Sequence, residues 1–197
     1  MHPLALRTET PSVRFPDVGE PAPNASVQTL NGDAVDLSTL WSGADRGLAL
    51  VFLRHYGCPF CKEHAREIDS RSAELRVSGV HVAFIGCGTS DEARTFRDEL
   101  RLTNPVFNDA DRAAYEAYGI GVASAGSVLN PRVMAGGVRA AAKGFLPRRS
   151  SGHPLQLQGQ FLVGRDGIIR SVSRPAVMSD IPPASDLLAQ AMSLPWP

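Results

Sequence analysis

The sequence has few cysteines, few aromatic residues and no excess of charge of either sign. Three cysteines in 197 residues are too few for a disulfide-rich scaffold. Twenty basic residues balance twenty acidic ones, so no overall field favours nucleic acid or an anionic membrane surface. No apolar run approaches the ~20 residues that a membrane-spanning helix requires. These absences predict a globular chain with no nucleic-acid and no membrane partner.

The N-terminal segment gives two expectations. Residues 1–9 lack the apolar stretch of a secretory signal and carry charge early, which predicts a cytoplasmic location. In such a reducing compartment, a close cysteine pair is more often catalytic or metal-binding than structural. Residues 1–17 are polar and interrupted by prolines, so we predict a flexible tail before one domain over residues 18–197.

Apolar segments alternate with helical patterns along the chain. Leu48–Leu53 is an unbroken apolar run, which is typical of a strand inside a sheet, and Val80–Ile85 repeats the pattern. Asn31-Gly32 and Asp166-Gly167 supply turns for two β-hairpins. Helical patterns cover residues 61–77, 92–100 (with Ser90 or Asp91 as cap), 132–143 and 185–192. The order predicts an α/β, thioredoxin-like fold: a mixed, mostly parallel sheet flanked by helices, with an N-terminal β-hairpin extension.

The motif Cys58-Pro59-Phe60-Cys61 lies between a strand and a helix and carries the predicted chemistry. A thiol at a helix N-terminus meets unpaired backbone N–H groups and the positive end of the helix dipole, which favour the thiolate. Cys58 is therefore predicted to attack, and Cys61, one turn inward, to close a disulfide with it. Pro59 suits the first helical position, and Gly57 permits close approach of another segment.

Two other interpretations of the cysteine pair remain. The pair could be incidental, or Cys58, Cys61 and His64 could bind zinc with His55 or Cys87 nearby. Structural zinc takes four ligands, usually from two paired knuckles, and the chain has no second CxxC. We therefore predict no bound metal.

The neighbours of the motif are candidates for substrate binding or thiol activation. They are Arg54, His55, Tyr56, Gly57, Pro59 and Phe60. Arg54 could lower the pKa of Cys58 or bind a substrate oxygen, or it could be an exposed residue at a strand end. His64 is predicted to be solvated. The basic segment 132–149 either walls the cleft or is a solvated loop.

Cys87 is a possible third thiol of the site. It ends the strand that follows the CxxC helix, and the carboxyl ends of parallel strands share one edge of a sheet. The alternative, which the frequent burial of cysteine favours, is that Cys87 is a small buried hydrophobic residue.

The chain resembles the peroxiredoxin-like (AhpC/TSA-type) thioredoxin-fold family, in its prostamide/prostaglandin F synthase-like branch. The segments that carry the resemblance are Val18–Pro23, Val51–Cys61, Phe107–Arg112 and Gly159–Gly164. The sequence departs from the peroxiredoxin signature P-x-x-x-T-x-x-C, because Val51 and His55 stand where proline and threonine would be. The CPFC motif is similar to the CPYC of glutaredoxins.

The resemblance implies a thioredoxin fold and thiol-dependent reduction of a peroxide-type or disulfide substrate. It implies no bound cofactor and an external thiol reductant, from a thioredoxin or glutathione system. Thioredoxins carry a cis-proline opposite the motif, and Gln158-Gly159-Gln160 takes that place here. We therefore expect Gly159 and Gln160 to form the opposite rim, with Gly159 close to the Cys58 sulfur.

Two function classes follow. The first is a thiol oxidoreductase that acts on a small-molecule peroxide or disulfide and is restored by a thiol reductase partner. The second is a non-enzymatic, redox-sensitive thioredoxin-fold binding protein. The sequence leaves the oligomeric state open, with a homodimer among the possibilities.

Overall fold

The computed structural model of the chain describes residues 14–124, 131–194 and 196. The predicted flexible tail falls outside the described residues over positions 1–13. The described residues form a seven-stranded sheet in the order β2-β1-β5-β4-β3-β6-β7. The strands are β1 (Ser26–Gln28), β2 (Ala34–Asp36), β3 (Gly47–Phe52), β4 (Val80–Gly86), β5 (Val106–Asn108), β6 (Gly159–Gly164) and β7 (Ile169–Ser173).

The apolar run predicted at Leu48–Leu53 forms β3, an interior strand. It pairs in parallel with β4 and antiparallel with β6, and all six of its residues are buried. A strand covered on both faces must be apolar throughout, which explains the unbroken pattern. The prediction of an interior strand is confirmed.

Parallel pairing is limited to the three central strands. β3, β4 and β5 are parallel, whereas β1 and β2, β1 and β5, β3 and β6, and β6 and β7 pair antiparallel. Gly32 and Gly167 adopt the positive φ that the two predicted hairpin turns require. The mixed sheet is confirmed, but its pairings are mostly antiparallel: hairpins at both edges supply two antiparallel pairs, and each hairpin also joins the central strands in antiparallel fashion.

The helices are α1 (Leu37–Ser42), α2 (Pro59–Ser70), α3 (Ser72–Val77), α4 (Ser90–Leu100), α5 (Ala113–Ala117), α6 (Pro131–Ala142) and α7 (Ala184–Ser193). The single helix expected after the CxxC is divided at Arg71. Thr89, rather than Ser90 or Asp91, caps α4 in a reciprocal capping box with Glu92.

The sheet separates two apolar cores. Ala49 and Val51 pack with Cys58, Cys61 and other buried residues of α2 to α4 and α7 on one face. Leu50 and Phe52 point to the other face, and the second core there includes Tyr115 of α5. Because successive side chains of a strand alternate between faces, β3 contributes to both cores. The CxxC motif belongs to the first face.

Candidate active site

Cys58 is the N-cap residue of α2, and Pro59 is its first helical residue. Cys61 lies one turn inside the helix, as the motif predicts. The Cys58 and Cys61 residues are 1% and 2% exposed, so both sulfurs are closed off from solvent. All three cysteines are free thiols in this structure.

Arg54 is the residue that contacts all three sulfurs. Its backbone N–H donates to Cys61 Sγ at 3.2 Å, and its carbonyl oxygen accepts from Cys87 Sγ at 2.9 Å. Its guanidinium Nη1 donates to Cys58 Sγ at 3.5 Å. Arg54 is 7% exposed, so the alternative of an exposed arginine at a strand end is wrong.

The two thiols of the motif have opposite pKa shifts. Burial alone raises the pKa of Cys58, but the Cys61 thiol, the charge of Arg54 and the backbone N–H groups of Cys61 and Phe60 together lower it to about 7. Burial, the hydrogen bond to Cys58 and its negative charge raise the pKa of Cys61 well above its ordinary value. Cys58 is therefore the thiol that ionises first.

A segment that we call the strap, residues 148–156, passes over the loop that carries the motif. Arg54 Nη2 donates to the Pro154 carbonyl oxygen at 2.7 Å, and its Nε donates to the Gln156 carbonyl oxygen at 2.8 Å. The Arg148 backbone N–H donates to the Gly57 carbonyl oxygen at 3.0 Å. A Cβ on Gly57 would lie 2.0 Å from the Arg148 carbonyl oxygen, so only glycine fits here.

The C-terminal end of the basic segment 132–149 thus packs against the motif loop. Earlier in the segment, Lys143 and Arg139 form ion pairs with Glu63 of α2, at 2.5 and 3.6 Å. Phe60 packs against α6, and its ring lies so close to Gly136 that a Cβ there would be 2.8 Å from it. The segment is therefore packed against the motif helix and loop instead of being a solvated loop throughout, and a wall of the substrate cleft stays a prediction.

Two cavities flank the strap. One of about 240 Å³ is lined by Gly57, Glu92, Phe96, Arg148 and neighbouring residues. The other, of about 380 Å³, is lined by residues that include Cys87, Arg112, His153 and Pro154. Among the described residues, neither lining includes Cys58 or Cys61, so a substrate reaches the sulfurs only when their cover moves.

His55 and Tyr56, both predicted to take part in the site, directly follow Arg54 in the motif loop. Burial, with the charge of Arg54, lowers the pKa of His55 to about 4, so the imidazole is neutral at pH 7. The Tyr56 hydroxyl donates to the carbonyl oxygens of Gly86 and Phe107, at 3.1 and 2.8 Å. Tyr56 therefore ties the motif loop to the ends of β4 and β5.

Cys87 ends β4 at the edge of the sheet that also carries the motif. It is 1% exposed and packs in the second core, on the face opposite Cys58 and Cys61. Burial raises its pKa. Cys87 is thus a buried residue, linked to the thiol pair only through the Arg54 carbonyl oxygen, and its role as a third thiol stays a prediction.

Gly159 lies inside the sheet, and Gln160, the next strand residue, is buried and interacts with His64 of α2. A Cβ on Gly159 would meet the Ile120 side chain at 2.7 Å, and Gly159 pairs with Phe52 inside the sheet. The Gln158 side chain donates to the carbonyl oxygens of residues 177, 178 and 180. The segment that lies against the motif loop is the strap, through the Arg148 N–H and the Gly57 carbonyl oxygen, and no described peptide bond is cis. The signal that could have located it is Pro154, just upstream of β6.

His64 is buried, at 7% exposure, whereas the sequence predicted a solvated residue. It lies on the inner face of α2, and burial lowers its pKa to about 4 despite Gln160 and Glu63. No group of three or more His, Cys, Asp or Glu side chains within the described ranges could hold a metal ion. The absence of a bound metal stays a prediction.

The described helices include none that is both long and apolar enough to span a bilayer.

Comparisons with known proteins agree with this architecture. The chain is 27% identical over 150 residues to the prostamide/prostaglandin F synthase of Danio rerio, which covers 73% of this chain and 72% of that protein. It is 34% identical over 91 residues to the thioredoxin-like protein AAED1, chloroplastic, of Arabidopsis thaliana, a match over 46% of this chain and only 36% of the plant protein.

Solved structures show the same fold. Peroxidoxin BcpB from Mycobacterium tuberculosis superimposes with a TM-score of 0.66 at 16% identity, over 90% of this chain and 97% of that one. A putative thiol:disulfide interchange protein DsbE from Chlorobium tepidum gives 0.61 at 16% identity, over 90% and 99%. The thioredoxin-like fold is thereby confirmed. The model of the AhpC/TSA family matches residues 18–172, most of the chain, and the chain belongs to that family.

Proposed function

We propose that this chain is a dithiol oxidoreductase in which Cys58 attacks the substrate and Cys61 resolves the product. The observation that carries the proposal is the arrangement at the start of α2. The Cys58 sulfur accepts hydrogen bonds from the Cys61 thiol and the Arg54 guanidinium, and its pKa is lowered to about 7. The thiolate of Cys58 is thereby favoured near neutral pH without help from His55.

The first step depends on the substrate class. With a hydroperoxide ROOH, the Cys58 thiolate attacks one oxygen, the O–O bond breaks, and a proton is taken up to release ROH and leave a sulfenic acid. With a disulfide RSSR, the thiolate forms a mixed disulfide and RS⁻ leaves. In both cases the positive charge of Arg54 stabilises the anion that develops beside it.

The second step is the same for both classes. Cys61 loses its proton and attacks the Cys58 sulfur, which releases water or the second thiol and forms the Cys58–Cys61 disulfide. The raised pKa of Cys61 keeps it protonated, and therefore unreactive, until the charge on Cys58 has been consumed. An external thiol reductant, in a reducing cytoplasmic setting, would donate two electrons and restore the dithiol. No bound cofactor takes part.

A turnover assay with the full chain tests the proposal. An alkyl hydroperoxide and a small aromatic disulfide are supplied as substrates, with a thioredoxin or a glutathione system as reductant. Because relatives carry the name prostamide/prostaglandin F synthase, a lipid peroxide belongs in the panel. Cys58→Ser should abolish turnover, Cys61→Ser should stop after one turnover, and the control Cys87→Ser should retain activity.

The second candidate function is a redox-sensitive binding protein without turnover. The exposures of 1% and 2% for Cys58 and Cys61 favour it, because a closed site restricts substrate access. This function predicts that the pair oxidises once to a disulfide and that no substrate of the panel is turned over. Sustained turnover that depends on Cys58 would exclude it.

A further inference from the structure

We propose that Glu92 is a positioning residue, which holds the strap over the thiol pair and thereby holds Arg54 against Cys58. The proposal rests on the proposed function, in which Cys58 is the reacting thiol. Glu92 itself lies on α4 and makes no contact with either sulfur among the hydrogen bonds of the described residues.

The Glu92 carboxylate binds the strap through consecutive serines. Its Oε1 accepts from the Ser151 backbone N–H at 2.7 Å, and its Oε2 accepts from the Ser151 hydroxyl at 2.7 Å and the Ser150 hydroxyl at 3.4 Å. Hydrogen bonds to a carboxylate are roughly twice as strong as neutral ones. Burial by itself would raise the pKa of Glu92. The contacts to the serines and to the Thr89 N–H outweigh burial, and the pKa of Glu92 is lowered.

The strap transmits this restraint to Arg54. Pro154 follows Ser151 by three residues, and the carbonyl oxygens of Pro154 and Gln156 accept from two of the three guanidinium nitrogens. The third nitrogen faces Cys58 Sγ. A guanidinium is planar and rigid, so the positions of the two strap carbonyls determine where its remaining donor points.

The closed strap leaves no room for a substrate beneath it. A Cβ on Gly57 would lie 2.0 Å from the Arg148 carbonyl oxygen, and one on Gly152 would lie 2.3 Å from the Cys87 carbonyl oxygen. Cys58 directly follows Gly57 in the chain and is 1% exposed. Reaction at Cys58 therefore requires the strap to lift, and Glu92 opposes that movement.

The charged and titratable groups around the two centres are few. Arg54 and Cys61 face Cys58. His55 and Tyr56 interact with the charge of Glu92, and Asp91, Glu99, Arg148 and Arg149 share its cavity. His55 is neutral above about pH 4. The pH profile of Cys58 between pH 5 and 10 therefore reports mainly the ionisation of the thiol pair beside the charged Arg54.

The test is the rate of Cys58 alkylation by iodoacetamide, measured by mass mapping on the full chain across this pH range. Glu92→Gln keeps the size of the side chain and removes its charge. We expect the plateau rate at high pH to rise about tenfold, because the strap opens more often once charge-assisted hydrogen bonds are lost. We also expect the midpoint to move above about 7, because Arg54 is held less closely to the sulfur.

Two further variants separate positioning from helix stability. Thr89→Val breaks the capping box of α4 but leaves the contacts to Ser151, so it should lower the melting temperature and leave the alkylation profile unchanged. Ser151→Ala removes one hydroxyl contact on the strap side and should change the profile in the same direction as Glu92→Gln, by less. If Glu92→Gln does not fold, the alkylation profile of Ser151→Ala tests the inference in its place.

The inference would be overturned if Glu92→Gln kept the wild-type plateau rate and the wild-type midpoint of Cys58 alkylation. If Glu92→Gln is unfolded, the same result in Ser151→Ala would overturn it. The same shifts in Thr89→Val would overturn it too, because they would then follow from α4 stability. Preferential alkylation of Cys61 in the wild-type protein would instead contradict the proposed function and remove the premise of the inference.

Discussion

Arg54 Nη1 lies 3.5 Å from Cys58 Sγ, on a residue whose backbone binds the other two sulfurs. A buried guanidinium is expensive to desolvate, and here the strap carbonyls of Pro154 and Gln156 satisfy two of its nitrogens. The charge that remains beside the sulfur stabilises the thiolate. The electrostatics of the thiol pair therefore depend on a contact between segments about 100 residues apart in the chain.

Replacing Arg54 by lysine should raise the pKa of Cys58. Lysine keeps the positive charge but cannot donate to both strap carbonyls and the sulfur from a planar fork. We expect the midpoint of Cys58 alkylation to move from about 7 toward the ordinary 9.0. Arg66→Lys is the matched control, since Arg66 also donates to a carbonyl, that of Leu100, away from the site. An unchanged midpoint in Arg54→Lys would contradict the electrostatic role.

Adding a methyl group at Gly57 should force the strap away from the motif loop. A Cβ would lie 2.0 Å from the Arg148 carbonyl oxygen, which no native packing accommodates. Gly57→Ala should therefore speed Cys58 alkylation and lower the melting temperature. Gly121→Ala is the control, because a Cβ there meets nothing within 4 Å. Alkylation at the wild-type rate in Gly57→Ala would show that the strap does not restrict access.

Gly159 should matter for stability rather than for substrate access. In Gly159→Ala the new Cβ would meet Ile120 Cδ1 at 2.7 Å, and overpacking of this kind destabilises by about 1–3 kcal/mol. Activity should follow the folded fraction. Ile120→Val removes the Cδ1 atom, so the double variant should recover part of the lost free energy of unfolding in a double-mutant cycle. Additive free energies in urea melts would place the clash elsewhere.

Folding stability should rise with pH between about 4 and 6.5. His64 has an ordinary pKa of 6.5 when unfolded and about 4 in the folded chain, because burial disfavours its charge. In this window the unfolded chain binds more protons, so stability is lost as the pH falls. His64→Gln should reduce the slope of unfolding free energy against pH, and His81→Gln, at a half-buried strand position beside Asp45, is the control. An unchanged slope in His64→Gln would mean that His64 can charge without unfolding.

Much of the fold could be predicted from local patterns. The apolar run of β3 and the turn glycines Gly32 and Gly167 act through neighbours in the chain, and each formed the predicted element. The same holds for Cys58 and Cys61, because strand, loop and helix N-terminus follow one another directly. Cap choice at α4 was missed by one residue, since Thr89, Ser90 and Asp91 are all good caps and geometry selects among them.

The sequence by itself determined that the cysteine pair lies between a strand and a helix start, and the tertiary structure decided how the pair is covered. Arg54 and Pro154 are in contact although 100 residues separate them in the chain. A local sequence pattern cannot predict a contact between residues so far apart. Three other features depend in the same way on how distant segments pack together. They are the burial of His64, the contact between Gly159 and Ile120, and the sheet face on which Cys87 packs. The helix start supplies backbone N–H groups to the Cys58 sulfur through local sequence, whereas the Arg54 guanidinium is held beside that sulfur by strap carbonyls that only the folded chain brings into place.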